Sequence, residues 1–391
     1  MHVTSPALGG PTRAYLPSWP GLSPRVYLRP EASAAPPFPL NAPNRIPSFV
    51  ARNLIFHLFR ALGFGKGDSV LVPDYHHGNE VSAIRASGAS IVWYHVGRDM
   101  RVDLSEISRL ARSGPRALFV IHYLGWPQPI EAMAALCRER GILLIEDCAL
   151  ALLSEADGRP LGSFGDYSVF CLYKTLPVPN GALLVQNRNP LDSLTALEFE
   201  PCGVTSLTGR CLELSLDWLR SRSIVVGGAL SRAKSTMGLA LNGAGVRRVP
   251  VGDTGFDVRR VNLGMSPLSA RLLKRFDYAE IRNRRRSNFL ALRARLLGRI
   301  DLPDLALPEG VCPLFFPILV PDKARAARAL VDRGIGAVEF WNEGDAAAMG
   351  ESSADAVFLR RHLLELPIYQ DVTDGQLAFM ADQVLSLGRQ G

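Results

Sequence analysis

Lysine is scarce in this sequence: only Lys66, Lys174, Lys234, Lys274 and Lys323 occur among 44 basic residues. A reactive amine therefore has few places to be. Long apolar runs are also missing. The longest, near residues 224–230 and 314–320, fall far short of the ~18 residues a spanning helix needs, so no membrane partner is expected. The opening MHVTSPALGG has no basic-then-apolar leader pattern, and export is not expected. No CxxC pair occurs among Cys137, Cys148, Cys171, Cys202, Cys211 and Cys312. That argues against a zinc cluster or disulfide scaffold, leaves the metal-ligand set empty, and fits a reducing cytoplasm. Basic–aromatic repeats and nucleic-acid modules are absent too, so the net charge of +7 does not imply a nucleic-acid partner.

What is present suits a globular chain. The 391 residues, 47% apolar and 21% charged, allow two or three domains and rule out disorder over the whole length. The first 50 residues hold 11 of the 28 prolines and read as an extended arm over a surface or a partly disordered tail, with order beginning near Ser48. Residues 50–62 then predict a helix that GFGKGD breaks. Strand-like runs follow at 69–73, 90–95, 117–122, 142–146, 168–172 and 182–186, with helical stretches at 79–87, 103–113 and 130–140. These runs are continuous rather than alternating, which predicts strands buried on both faces in a mainly parallel sheet covered by helices. Functional loops belong at the carboxyl ends of such strands.

Beyond residue 190 the pattern is looser. SLTGRCLELSLDWLRSRSI is helical, while SRSIVVGGAL suits strand or helix. One long helix is predicted over 266–299, then strands at VCPLFFPILV and GIGAVEFW around the helix KARAARALVDRG, with LELPIY and a final helix completing a smaller α+β unit. The expected division is an arm (1–47), a large domain (48–255) and a small C-terminal domain (256–391). The RNRRR cluster of Arg282, Arg284, Arg285 and Arg286 reads as a solvated helix face or as an attractor of anions.

Several residues at strand ends carry possible chemistry. Asp147 ends a very apolar run, where a carboxylate must be paired or hydrogen-bonded, or else cap the next helix. Lys174 is the one lysine directly downstream of a strand-like run; Lys66 sits in a glycine turn, Lys274 lies on an arginine-rich helix, and Lys234 and Lys323 look exposed. A buried lysine is a candidate Schiff-base nucleophile, and the alternative is a snorkelling surface lysine. His76 and His77 share a strand–helix loop and suit polar surface better than a metal site. His122 stands at a strand end and suits a hydrogen-bonded core position. Asp147 and Lys174 on successive strands form the pair that pyridoxal phosphate needs, an amine for the aldehyde and an acid for the pyridinium proton.

The order of segments resembles the DegT/StrS sugar aminotransferase family of fold type I pyridoxal-phosphate enzymes. The likeness rests on ARNLIFHLFRALGFGKGDSVLVPDYHH, IHYLGWPQPIE, IEDCALALLSEADGRPLGSFGDYSVF and VNLGMSPLSARLLKRFD. It implies Lys174 as the Schiff-base lysine and Asp147 as the partner of the pyridine nitrogen. It also implies His77 as the ring-stacking residue, Arg52 and Asn53 at a phosphate-binding helix start, and Cys171 (or Val169) near the usual phosphate-binding serine. Asn262 matches an asparagine that reaches the phosphate from a neighbouring subunit, which implies a homodimer. Departures are Leu150 in place of Gln or His, PLPVPNGALLV after the lysine, Gly264 in place of arginine, and no His-Gly segment over 190–250. The resemblance thus implies pyridoxal 5'-phosphate as cofactor, a keto sugar (nucleotide-linked or not) or another small keto metabolite as substrate, and an amino acid as donor. Another pyridoxal-phosphate reaction, elimination or carbon–carbon chemistry, and a non-catalytic cofactor-binding member are the alternatives.

Overall fold

The computed structural model describes residues 14–230, 255–342, 344 and 352–387. Its strands are β1 (Arg45–Ser48), β2 (Ser69–Pro73), β3 (Ser90–Tyr94), β4 (Ala117–Ile121), β5 (Leu143–Asp147), the short hairpin β6 (Glu155–Ala156) and β7 (Arg159–Pro160), β8 (Tyr167–Cys171), β9 (Ala182–Gln186), β10 (Phe315–Leu319) and β11 (Leu363–Pro367). The helices are α1 (Ala51–Ala61), α2 (Asn79–Arg85), α3 (Leu104–Leu110), α4 (Ile130–Arg140), α5 (Leu172–Thr175), α6 (Asp192–Thr195), α7 (Val204–Arg222), α8 (Pro267–Leu273), α9 (Tyr278–Leu296), α10 (Lys323–Asp332), α11 (Ala354–His362) and α12 (Asp374–Leu387).

One seven-stranded sheet, in the order β1-β9-β8-β5-β4-β2-β3, carries the large unit. The pairs β2–β3, β2–β4, β4–β5 and β5–β8 are parallel, and β9 runs antiparallel to both β8 and β1. Every residue of β4, β8 and β9 is buried, which is why these segments read as unbroken apolar runs. Register then decides what meets at the sheet's edge. Asp147 pairs with Ile121 on one side and Val169 on the other, so β4, β5 and β8 end side by side. The turn that carries Lys174 starts directly after Cys171, at the same edge.

The second sheet is the antiparallel pair β10–β11, with α10 and α12 in the same unit. From Ala14 onward the proline-rich segment packs as part of the fold, ahead of the expected start of order at Ser48, and residues 1–13 lie outside the described residues. Leu16 and Leu22 are fully buried, Leu16 bonds the backbone of Gly334 and Gly336, and Arg45–Ser48 adds the strand β1.

Four expectations are corrected. The helix over 266–299 is two helices, because Phe276 turns into the core and Asp277 caps a fresh start by accepting from the Glu280 N–H. GIGAVEFW makes only isolated bridges, Ile335 to Leu16 and Val338 to Glu365, since the arm occupies the backbone groups on either side of Ile335. The arginine cluster is neither a solvated face nor an open anion site. Arg285 is 1% exposed and donates to the carbonyls of Thr175, Pro313 and Leu314, while Arg282 pairs with Glu155 and Arg286 donates to Pro308 and Val311. Lys323 is buried, not exposed. The open choice at SRSIVVGGAL resolves as helical backbone over 224–230, and Lys234 lies outside the described residues.

The turn after β4 relies on Gly125, whose φ is +109° and whose Cβ, if present, would lie 2.4 Å from the Cys312 carbonyl oxygen. Gly125→Ala is expected to lower the free energy of unfolding by about 2 kcal/mol or more in urea titration. Gly114→Ala, with φ +73° but open space around it, should cost only about 1 kcal/mol.

Candidate active site

Asp147 and its neighbour Glu146 sit together at the end of β5 but are partnered very differently. Glu146 accepts from the N–H groups of Gly162, Phe164 and Gly165 and from His122 Nε2 at 3.0 Å. His122 Nδ1 accepts the Gln128 N–H, so the proton lies on Nε2. Cys148 approaches the same group, yet His122 has no lone pair left for a metal and Glu146 is saturated. This cluster fastens the 162–165 turn and matches the core reading of His122.

Asp147 Oδ1 accepts one hydrogen bond, from the Ala149 N–H at 2.8 Å, and Oδ2 takes none from the described residues. Burial pushes its carboxyl up to about 6. The nearby Glu80 carboxylate acts in the same direction, and the Ala149 N–H, Lys174 and His122 oppose them. The local cap and the buried acid are thus the same residue. Glu80, 6% exposed on α2, was not singled out in the sequence; an acid one residue into a helix reads as an ordinary first-turn residue.

Lys174 lies on α5, the single turn after β8, and is half-buried rather than a surface lysine. Three bonds hold this turn: Leu172 N–H to the Gly181 carbonyl, Leu176 N–H to the Leu172 carbonyl, and Arg285 to the Thr175 carbonyl. The Lys174 Nζ lies 5.7 Å from the centre of the Phe340 ring. Cys171, at the end of β8, is fully buried, and burial raises its thiol while Lys174 pulls it back. The structure therefore brings Asp147, Lys174 and Cys171 to one corner, with Glu80 beside the acid.

The other expected residues surround that corner unevenly. The His77 N–H donates to Glu80 Oε1 at 2.7 Å, and the half-buried ring accepts from the Asn79 N–H. His76 departs from the expected polar surface: it is fully buried, stacked on Trp93 with ring centres 5.0 Å apart. At α1 no side chain caps the first turn, so the helix start presents its N–H groups with Arg52 half-buried there. Asn53 instead donates to the Arg260 carbonyl. Residues 260–263 run along this helix start, held also by His57 at the Val261 carbonyl and by Ser48 and Phe49 at the Leu263 carbonyl. Asn262 in this loop is exposed.

Asn180 was missed. Its Oδ1 accepts from the Ser266 N–H and Ser269 Oγ, tying the loop after Lys174 to the start of α8. The unusual PVPNG segment was the available signal. Leu150 is buried against the Tyr75, Tyr123 and Phe340 side of the site. A Cβ at Gly264 would lie 3.0 Å from Phe199 Cβ, so any larger residue there requires Phe199 to give way by a few tenths of an ångström.

These residues fit pyridoxal phosphate on chemical grounds. A buried carboxylate with one oxygen unengaged and a carboxyl pushed up to about 6 lacks a cationic hydrogen-bond donor, which a pyridinium N–H is. An amine on the adjacent strand end and an uncapped helix start supply the covalent and anionic contacts.

Comparison with known proteins agrees. Residues 54–206 match the DegT/DnrJ/EryC1/StrS aminotransferase family. A GDP-perosamine synthase from Vibrio cholerae is 33% identical over 130 residues, 32% of this chain and 35% of the relative. A dTDP-4-dehydro-2,3,6-trideoxy-D-glucose 4-aminotransferase from Saccharopolyspora spinosa is 34% identical over 117 residues, 30% of each chain. The matches thus span about a third of the length of these curated relatives. In fold the likeness is wider: the PLP form of Spr1654 from Streptococcus pneumoniae superposes with a TM-score of 0.66 at 14% identity, over 95% of this chain and 93% of the other. The α/β fold type I architecture expected from the sequence is the one observed.

The unmatched charge has a measurable consequence. A carboxyl raised from 3.8 to about 6 leaves the folded chain holding its proton to higher pH than the unfolded chain. Its contribution to stability is complete below about pH 4 and is lost as pH rises through 6. Asp147→Asn should therefore stabilise the cofactor-free protein by on the order of 3 kcal/mol at pH 7 and change little at pH 4. Urea unfolding at the two pH values checks this.

Proposed function

We propose that this chain is a pyridoxal-phosphate-dependent aminotransferase that transfers an amino group to a keto sugar or a related small keto metabolite. The observation that carries the reading is the meeting of Lys174 with the under-partnered Asp147 at adjacent strand ends. The curated relatives named above support the substrate class, and an amino acid is the proposed donor. The proposed division is an arm (1–47), a cofactor domain (48–255) and a small domain (256–391). The six free cysteines support a reducing, cytoplasmic setting, and no helix among the described residues is long and apolar enough to cross a membrane.

The bound cofactor supplies an aldehyde that condenses with amines and a ring that withdraws electrons from the adjacent carbon. Asp147 would hold that ring's nitrogen protonated through its free Oδ2, where a cationic N–H would favour the ionised carboxyl. Lys174 Nζ would be the covalent anchor for the aldehyde and, as a free amine, the base that would take and return the substrate proton. Arg52 and the start of α1, where the Asn53 side chain is held at the Arg260 carbonyl, would bind the phosphate, with Cys171 at the position of the usual serine and His77 beside the ring. Leu150 would offer the ring's hydroxyl no hydrogen bond, which favours elimination or carbon–carbon chemistry as the second reading.

Borohydride should fix one cofactor per chain to Lys174 in the wild type and none in Lys174→Ala. A reducible adduct surviving in the variant would overturn the assignment. The cofactor absorbance separates the readings: a shift to the amine form on adding an amino acid supports transamination, and a bound cofactor that ignores every donor supports the second reading or a non-catalytic cofactor-binding member.

We also propose a homodimer whose sites borrow the exposed Asn262 from the partner. Loss of one charge-assisted bond to phosphate should weaken cofactor binding roughly tenfold to a hundredfold. Mixing inactive Lys174→Ala and Asn262→Ala chains should restore activity, because half the sites in a mixed dimer then carry neither change. No recovery after proven subunit exchange would mean that each chain builds its own site.

A further inference from the structure

Three parts of the candidate site come from distant stretches of the chain: the turn that carries Lys174, the start of α1, and the loop leading into α8. All three meet on the dipeptide Asn180–Gly181. The Gly181 carbonyl accepts the Leu172 N–H at the head of the Lys174 turn, and the Gly181 N–H donates to the Phe49 carbonyl just before α1. One residue thus stands between the proposed covalent anchor and the proposed phosphate end. Its φ of +137° favours glycine, and a Cβ there would lie 2.9 Å from Met265 Sδ.

Two backbone bonds alone would let Gly181 move with either neighbour. Asn180 ties it down from a third side. This residue is 1% exposed, and its Oδ1 accepts from the Ser266 N–H at 2.8 Å and from Ser269 Oγ at 3.3 Å. Its own N–H donates to Ser269 Oγ at 3.4 Å, and Nδ2 reaches Cys202 Sγ at 3.7 Å. Ser266 and Ser269 are fully buried at the opening of α8, so the clamp is anchored in a helix. A residue that served only the turn could leave its amide in water; this amide is carried inside at a desolvation cost and bonded to remote segments.

We infer that Asn180 is a positioning residue of the site: it fixes the separation between Lys174 and the α1 start, so that one ligand bearing an aldehyde and a phosphate engages both at once. This rests on the reading of Lys174 as the covalent anchor and of α1 as the phosphate end. Two contacts made by one rigid ligand reinforce each other only when the protein holds them at the ligand's own spacing. Loosening the clamp leaves each end intact and removes the advantage of having both. Asp147 is unaffected, since the β5–β8 register places it.

The test compares dissociation constants of the full chain for pyridoxal phosphate and for pyridoxal, which lacks the phosphate, by absorbance titration. Inorganic phosphate is read by its competition with pyridoxal phosphate. Asn180→Ala should cut the advantage of pyridoxal phosphate over pyridoxal by about tenfold or more, with pyridoxal and inorganic phosphate each staying within roughly twofold of wild type. Asn180→Asp, which keeps the acceptor for Ser266 and Ser269, should hold the advantage to within roughly threefold. A merely structural role would weaken all three ligands together and would not single out the doubly held one. An advantage unmoved in Asn180→Ala, equal losses for pyridoxal phosphate and pyridoxal, or a phosphate loss as large as the whole change overturns the inference. Should Asn180→Ala fail to fold, Ser269→Ala removes one partner of the clamp and should lower the advantage about threefold; an unmoved value there overturns the inference equally. Failure of the underlying reading shows separately, because pyridoxal would then give no borohydride-reducible adduct at Lys174 in the wild type.

Discussion

A carboxylate cannot be carried into a protein interior without partners, and the end of β5 shows two solutions to that constraint side by side. Glu146 gathers three backbone N–H groups and the His122 imidazole, and by doing so folds the 162–165 turn around itself. Asp147, one residue on and therefore on the opposite face of the strand, has one N–H and an oxygen to spare. The first is spent on structure. The second remains in deficit, and a deficit of positive charge in a low-dielectric corner is a binding site for a cationic donor. Lys174 stands next to it because β8 pairs in parallel with β5, and Glu80 deepens the deficit.

The same theme runs through the basic side chains. Arg285, Arg360 and Lys323 are all buried, and each donates to main-chain carbonyls rather than to acids, with the Nε of Arg285 and Arg360 left over. Arg285 braces the turn after Lys174. Arg360 reaches the carbonyls of Asp74, His76 and Trp341, joining the β2 loop to the small unit. Lys323 holds Phe340. These cations do locally what strand ladders do elsewhere, saturating the carbonyls of irregular segments that pass through the core. The site is thereby enclosed by loops whose backbone groups are paired, so an irregular wall can stay in place.

Much of this was legible in advance where the signal is local. The buried strands betrayed themselves by continuous apolar runs, whereas the Asp277 cap that divides 266–299 into two helices went unread. Lys174 stood out because lysine is rare and one alone follows a strand. Arg285 and Lys323 were misread because burial of a long cation is decided by distant carbonyls, which leave no trace in neighbouring residues. GIGAVEFW has strand-forming residues, but the arm took the backbone positions a neighbouring strand needs. Glu80 and Asn180 escaped notice for a related reason: each looks like an ordinary helix-start or turn residue, and its importance lies in what approaches it from far along the chain.

Hydrophobic periodicity and turn chemistry act over a few residues, so the chain's order alone dictates the alternation of strands and helices in the large unit and the placement of Asp147 and Lys174 after successive strands. Long-range pairing acts between segments that sequence distance does not relate. Strand order and register put those two residues at one edge. Burial set the charge deficit at Asp147, and the return of the small unit laid Phe340 over the amine, held by Lys323, which had looked exposed. Desolvation depends on everything that packs around a group, and that is a property of the assembled fold.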